Sequence, residues 1–154
     1  MMTLRAFAGA VVPHGTAGIY MDPHEICNVL GARGVDLMLD EAACTPLKAM
    51  LTMPSCVPAV TGFEDTGASI DAGDVARYMQ DGRVVALGEM MNYPGVIAGD
   101  TSAIEKIVVS QAHHKKIDGH APDLSGLQLN AYMSAGVYSD HECSTIENAL
   151  EKLR

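Results

Sequence analysis

Short apolar runs of β-forming character recur along the chain, and each run ends at turn-forming or ionisable residues. Between these runs lie longer segments in which apolar residues repeat about every 3.6 positions, as on one face of a helix. The pattern therefore predicts alternating strands and helices. The predicted strands are 17–21, 49–53, 84–88, 116–119 and 136–139, and the predicted helices are 26–43 (interrupted at Gly31 and Gly34), 72–80, 103–113 and 124–135.

The spacing of the strand ends bears on the fold class. These ends fall at Asp22, Pro54, Glu89, His120 and His141, which gives steps of 32, 35, 31 and 21 residues. Because a (β/α)8 barrel uses about 31 residues per unit, the chain is predicted to be α/β, with about five βα units of a partial TIM-type barrel. A doubly wound open sheet has the same alternation, so the spacing alone does not exclude that fold. However, no glycine-rich phosphate loop follows any predicted strand.

Composition and charge favour a folded protein with a small-molecule site. Hydrophobic residues make up 48% of the chain and charged residues 19%, a balance that supports a buried core. The 19 acidic residues outnumber the 10 lysines and arginines, and the resulting net charge of -9 would repel nucleic acid. Aromatic residues, at 5%, are too few for base-stacking platforms. We therefore expect a small-molecule substrate and no nucleic-acid partner.

The cysteines and the N-terminal residues indicate a cytoplasmic location without a membrane partner. Cys27, Cys44, Cys56 and Cys143 stand far apart, so neither a zinc-finger spacing nor a dithiol redox motif is present. The apolar run within residues 1–10 is too short to span a membrane and lacks the layout of a signal peptide. We expect reduced thiols and no export.

Ionisable residues gather where the predicted strands end. Parallel strands end on the same face of a barrel or an open sheet, and sites are built on that face. Imidazole and carboxylate ligands together suit zinc, iron or manganese, and a divalent ion lowers the pKa of its water enough to supply hydroxide near neutral pH. The pattern therefore predicts a hydrolytic metal centre. The candidates are Asp22, His24 and Glu25 after the first strand, Glu89 after the third, His120 after the fourth, and Asp140, His141 and Glu142 after the fifth.

Several of these candidates also have a purely structural interpretation. The motif DPHE is typical of a helix start, with Asp22 as N-cap, Pro23 at the first helical position and Glu25 reaching back in a capping box. This role is compatible with a role in the site. Taken singly, His120 and His141 are typical of structural histidines, and their position at neighbouring strand ends is what favours metal ligation.

Glu89 and Ser55 are further residues at strand ends. Glu89 follows an apolar run and would be costly to bury unpaired, so a metal ion or a cation is expected beside it. Ser55 follows the second strand without a His or Asp pattern around it, which favours a structural or pocket-wall role over a nucleophilic one.

Six motifs, in order along nearly the entire chain, resemble those of the adenine deaminase family, a member of the metal-dependent amidohydrolase superfamily. The resemblance implies a binuclear centre, with manganese or iron expected and zinc as an alternative. It also implies hydrolysis of adenine at C6 to give hypoxanthine and ammonia. The motifs are VPHGT at 12–16, DPHEI at 22–26, MPSCVP at 53–58, GEMMN at 88–92, DGHAP at 118–122 and SDHE at 139–142.

The same resemblance implies roles for individual residues. Glu89 is similar to the carboxylate that bridges the two metals and takes part in catalysis, and His120 and His141 are similar to the two histidine ligands that follow it. The remaining candidates are expected to order the substrate pocket. They are Asp22, His24, Glu25, Ser55, Asp140 and Glu142.

The family pattern also contains parts that this chain lacks. The His-x-His pair of the family's first strand would precede Met1, and the last strands with a catalytic aspartate would follow Arg154. Residues 1–154 are therefore expected to form an incomplete barrel domain with little or no deaminase activity by itself. Its open edges lead us to expect self-association as a homo-oligomer. Two alternatives stay open: an inactive fragment that at most binds a metal ion or self-associates, and an amidohydrolase acting on another cyclic amidine or amide.

Overall fold

The computed structural model describes residues 2–153, in which parallel strands alternate with helices. A short 3-10 helix at Val12–His14 precedes the first strand. The strands are β1 (Gly18–Met21), β2 (Lys48–Met53), β3 (Val84–Met90) and β4 (Lys116–Gly119). The helices are α1 (Leu4–Val11), α2 (His24–Leu30), α3 (Ala32–Ala43), α4 (Ala72–Met79), α5 (Tyr93–Ala98), α6 (Thr101–Ala112), α7 (Gly126–Ser134) and α8 (Ile146–Lys152).

The four strands form one open parallel sheet in the order β1-β2-β3-β4. Each strand pairs with the strand before it in the sequence. A doubly wound sheet would instead reverse its order at a switch point. The observed order is that of consecutive units of a (β/α)8 barrel, so the α/β class with a partial barrel is confirmed.

The prediction of a fifth strand at 136–139 is wrong for the described residues. This segment runs beside β4, and Tyr138 N donates a hydrogen bond to Ile117 O at 2.9 Å, but no strand is formed. Gly136, with φ of 104°, turns the chain in the left-handed region where the strand would begin. The segment therefore follows the edge of the sheet without extending it.

Helix positions agree with the periodicity, although the ends shift. The pattern at 26–43 is divided because Gly31, with φ of 60°, ends α2 and starts α3. A capping box starts α4, where the Asp71 side chain accepts from Asp74 N at 2.9 Å and the Asp74 side chain accepts from Asp71 N at 3.3 Å. Among residues 2–153, no helix has the length and the apolar character needed to cross a membrane.

The main hydrophobic core lies between the sheet and the helices that cover it. Leu51 and Met53 of β2, with Val84 and Leu87 of β3, are fully buried. Such continuous apolar runs are typical of parallel strands that are covered on both faces.

A bulge in β3 lies next to the strand end that carries Glu89. Leu87 pairs with Ile117 and Met90 with Gly119, so three steps along β3 are matched by two along β4. A bulge changes the direction in which the side chains of a strand point, and bulges are frequent next to functional sites. Glu89 lies within this irregular stretch.

Candidate metal centre

The backbone of Glu89 is held by two hydrogen bonds from neighbouring segments. Asp22 Oδ2, just after β1, accepts from Glu89 N at 3.1 Å. Gly88 permits this approach, because a Cβ at that position would overlap the Asp22 carboxylate. Ser55 Oγ, just after β2, donates to Glu89 O at 2.5 Å. The position from which the Glu89 side chain extends is therefore fixed by the ends of two other strands.

Three side chains with metal-binding atoms converge at the carboxyl ends of β3 and β4, and Glu89 itself is the next-to-last residue of β3. Glu89 Oε2 lies 3.0 Å from His120 Nδ1 and 3.1 Å from His141 Nε2. One ligand atom from each of the three residues lies within 4.8 Å of the other two. The Glu89 side chain is 16% exposed and that of His141 is 49% exposed, so the group opens to solvent on the histidine side. Two imidazole nitrogens and a carboxylate oxygen at these distances could hold a divalent metal ion.

The segment after β1 also reaches this cluster. His24 Nδ1 lies 3.3 Å from Asp22 Oδ1 and 3.7 Å from Glu89 Oε1. The hydrogen bond to Asp22 raises the pKa of His24 to about 8; partial burial opposes this shift, and the charges of Asp22, Glu25 and Glu89 add to it. Asp22 and His24 therefore reach Glu89 from the end of β1, although β2 lies between β1 and β3 in the sheet.

The helix start at this segment differs from the predicted one. Asp22 Oδ1 does accept a hydrogen bond from His24 N, at 3.2 Å. However, α2 begins at His24, with Pro23 as its N-cap residue. Glu25 is 63% exposed and lies 3.8 Å from His24 Nε2, so its carboxylate faces the imidazole and solvent.

Asp140 is occupied by structural contacts. Its side chain is 6% exposed and lies 2.9 Å from the Lys152 Nζ, while its Oδ1 accepts from Ala121 N at 2.8 Å. Burial alone would raise the pKa of Asp140, but the hydrogen bonds from Lys152, Ala121 and Cys143 hold it below its ordinary value. Asp140 therefore links α8 to the residue that follows His120.

Lys152 was not among the sequence candidates, because a lysine in the last turn of a helix is typical of a solvated helix end. Its side chain is only 7% exposed, and Nζ also donates to Ala121 O at 2.6 Å. The cation thus bridges the Asp140 carboxylate and the backbone beside His120.

Ser55 is buried, and its hydroxyl donates a hydrogen bond to the backbone of β3. It is 1% exposed, and its carbonyl accepts a hydrogen bond from Lys106 Nζ at 2.8 Å. Burial lowers the pKa of Lys106 despite neighbouring negative charges. The sequence does carry a signal for Lys106, since it shares one helix face with the buried residues Ala103 and Ser110 of α6.

The hydroxyl of Tyr132 joins the two strand ends that carry Glu89 and His120. It donates to Met90 O at 2.8 Å and accepts from His120 N at 3.1 Å. Tyr132 is fully buried on α7, and burial raises the pKa of its phenol above the ordinary value. Sequence periodicity places this residue in the core without indicating a polar partner.

Tyr132→Phe is expected to lower the free energy of unfolding by about 1–3 kcal/mol, because it removes the hydroxyl that pairs Met90 O and His120 N in a buried setting. Urea denaturation of the metal-free chain measures this change. Tyr20→Phe is the matched control, since Tyr20 is 72% exposed on β1. Equal stability of the two variants would show that the hydrogen bonds of the Tyr132 hydroxyl do not stabilise the fold.

Comparison with known proteins gives a consistent result along the chain. Residues 5–154 match the family model described as Amidohydrolase family. An adenine deaminase from Methanothermobacter thermautotrophicus is 50% identical over 154 residues, which is 100% of this chain and 28% of that protein. Adenine deaminases from Methanococcoides burtonii and Archaeoglobus fulgidus are 49% and 48% identical, and the match covers 100% of this chain and 26% and 27% of those proteins. The chain thus spans about a quarter of the length of the relatives it matches.

Proposed function

The chain belongs to the amidohydrolase family, and on that basis we propose that it supplies central βα units and part of the metal centre of a hydrolytic adenine deaminase. The reaction adds water to adenine and releases hypoxanthine and ammonia. The choice of adenine is supported by relatives with close to 50% identity that carry the name adenine deaminase.

The observation that carries this proposal is the juxtaposition of Glu89, His120 and His141. Glu89 Oε2 stands between the two imidazoles, at hydrogen-bond distance from a nitrogen of each. These three residues would hold a divalent ion, for which we propose manganese or iron, with zinc as the alternative. Such an ion, when bound, supplies a water whose pKa is lowered toward neutrality.

The protein residues around this group have separate tasks in the proposed site. Asp22 and Ser55 fix the backbone of Glu89. His24 Nδ1, bonded to Asp22 and facing Glu89 Oε1, holds a proton beside the carboxylate in the metal-free chain. The sheet and its helices exclude water from the buried side of the group, while the histidine side stays accessible to a small substrate.

The competing proposals differ in substrate or in activity. An amidohydrolase acting on another cyclic amidine or amide would use the same three ligands. An inactive fragment would bind at most a metal ion or associate with itself. Within residues 2–153, β1 pairs on one side only, and such a strand edge is a surface on which another chain could pair.

A chimeric enzyme tests the proposed activity directly. The 154 residues of this chain would replace the aligned segment of the Methanothermobacter thermautotrophicus relative. We expect the purified chimera to convert adenine to hypoxanthine, followed by absorbance, and we expect the same chimera carrying Glu89→Gln to lose that turnover. The reason is that the relative would supply the rest of the barrel while this segment supplies Glu89, His120 and His141.

Metal content and thermal unfolding of the chimera must be measured on the same samples. A folded, metal-loaded chimera that leaves adenine unchanged but hydrolyses another cyclic amidine or amide would support the alternative substrate. A folded chimera without metal and without turnover would support the inactive fragment.

A further inference from the structure

His141 differs from the other two ligands of the proposed metal centre in how its position is fixed. Glu89 belongs to β3 and His120 directly follows β4, whereas residues 136–139, which precede His141, form no strand. Strand pairing therefore does not hold His141 in place. Its side chain is also 49% exposed, so packing restrains the ring only in part. The position of this imidazole must depend on other contacts.

The segment that carries His141 is attached to the end of β4 through Asp118. Ser139 Oγ, two residues before His141, donates a hydrogen bond to Asp118 Oδ1 at 2.6 Å. Gly119 N donates to the same oxygen at 3.0 Å, which fixes the orientation of the carboxylate. Gly119 also permits the close approach of the segment, because a Cβ at that position would overlap the Ser139 carbonyl. One oxygen of Asp118 thus ties the segment to the sheet.

The other oxygen of the same carboxylate faces the His141 ring. Asp118 Oδ2 lies 3.9 Å from His141 Nδ1, which is the separation of an ion pair. Glu89 and Glu142 instead approach the other ring nitrogen, Nε2, at 3.1 and 3.6 Å. Glu142 is 38% exposed, so it lies on the solvent side of the ring. The two nitrogens of His141 therefore have different carboxylate neighbours.

This arrangement affects which nitrogen of His141 can bind a metal ion. In a neutral imidazole one nitrogen carries the proton and the other has a free lone pair, and the partner of the first nitrogen decides which is which. A carboxylate beside Nδ1 favours the proton there and leaves Nε2, the nitrogen near Glu89, to bind the ion. Because Asp118 meets the nitrogen on the other side of the ring, it adds no ligand to the centre. The three-ligand centre keeps room for a water molecule.

We propose that Asp118 positions His141 as a metal ligand. Its Oδ1 holds the segment through Ser139, and its Oδ2 keeps the ring proton of His141 on Nδ1. This inference rests on the proposed metal centre, and it deepens that proposal by naming the residue that takes the place of strand pairing at one ligand. Asp118 is a positioning residue, since it acts through His141.

The test is titration of the metal-free 154-residue chain with Zn²⁺ by isothermal calorimetry, together with NMR of isotope-labelled histidine rings in the Zn²⁺-loaded chain. Asp118→Asn keeps the shape of the side chain. If its carbonyl oxygen stays with Ser139 and Gly119, its amide group turns N–H donors toward His141 Nδ1. We expect Zn²⁺ binding to weaken by about 10-fold, the lower end for residues that support a ligand, because solvent reaches half of the imidazole.

The NMR spectra report which nitrogen binds the ion. We expect His141 of the wild type to bind Zn²⁺ through Nε2 alone. In Asp118→Asn we expect an additional population that binds through Nδ1, because the proton is no longer favoured at that nitrogen. A purely structural role of Asp118 would not produce this second population.

Two further variants complete the experiment. Asp65→Asn makes the same chemical change at an exposed position and should bind Zn²⁺ like the wild type. Ser139→Ala removes only the hydroxyl that donates to Asp118, at an exposed position, and serves as the milder variant if Asp118→Asn folds poorly. We expect it to weaken Zn²⁺ binding in the same direction but by less. Urea unfolding with a chelator present measures the stability of each variant separately from metal binding.

The outcomes separate this inference from the proposed function. A wild-type chain that binds no Zn²⁺ would overturn the metal centre, and with it the ligand role of His141. Zn²⁺ binding by the wild type with unchanged affinity and ring signals in Asp118→Asn would overturn only the role of Asp118, even if stability fell. A weaker affinity with unchanged ring signals would give Asp118 a purely electrostatic effect on the ion and overturn positioning. Wild-type His141 bound through Nδ1 would overturn it as well.

Discussion

Glu89→Gln is expected to weaken divalent-metal binding by the chain more than about 100-fold, since loss of a residue that only supports a ligand already costs about 10- to 100-fold. The substitution preserves the shape of the side chain. It removes the negative charge that lies 3.0 and 3.1 Å from the two imidazole nitrogens. Metal content by mass spectrometry on purified wild-type and variant chains measures the effect.

The control for this experiment is Glu147→Gln, which makes the same chemical change at an exposed position. His120→Ala provides an independent test, because it removes a nitrogen ligand and leaves Glu89 in place. Near-stoichiometric metal in the wild type and in the control, with loss in both site variants, is the expected result. Retention of metal by Glu89→Gln would mean that the carboxylate and the histidines form an ion-pair cluster without a metal role.

Asp140→Asn is expected to lower the free energy of unfolding by about 3 kcal/mol, because it leaves the buried Lys152 cation without its counter-charge. The side chains of this pair are 6% and 7% exposed, and Nζ lies 2.9 Å from Oδ2. Denaturant unfolding in the presence of a chelator measures stability without a contribution from metal. Asp65→Asn, at an exposed position in the loop after β2, is the control.

The stability difference between wild type and Asp140→Asn should depend on pH with a defined sign. Folding lowers the pKa of Asp140, so the ionised form stabilises the native state above the unfolded-state pKa of about 3.9. The advantage of the wild type should therefore be complete at neutral pH. It should disappear as the pH falls below about 4 and through the lower folded-state value.

A double variant separates the ion pair from other effects of the substitution. Asp140→Asn combined with Lys152→Met removes both charges, and it should recover part of the stability lost by either change alone. Two single effects that simply add in the double variant would show that the carboxylate and the ammonium do not stabilise each other.

Much of the fold could be predicted from local pattern. The four observed strands were predicted within two residues at each end, because the alternation of β-forming runs and helical periodicity is a property of neighbouring residues. The fifth strand could not be excluded in this way. Its apolar residues suit a strand, but a strand exists only where a neighbour pairs with it, and Gly136 turns the chain before the pairing can extend.

In the candidate site, too, some residues could be predicted from local sequence and others could not. Glu89 and His120 could be singled out because each lies at a strand end and parallel strands end on one face. His141 was singled out in the same way, although the strand predicted before it is not formed. Tyr132 and Lys152 could not, because nothing in their own neighbourhood indicates the backbone atoms that they meet. For Lys106, helix periodicity indicates burial but does not indicate its partner, the carbonyl of Ser55.

By itself, the sequence determined the alternation of strands and helices over residues 17–119, the face on which the ionisable residues gather and the family to which the chain belongs. Only the tertiary structure decided which of those residues touch. The bulge beside Glu89, the approach of Asp22 over Gly88 and the burial of Asp140 against Lys152 depend on strand register and helix packing. These contacts join atoms that are distant in sequence, and hydrophobic periodicity carries no information about such pairs.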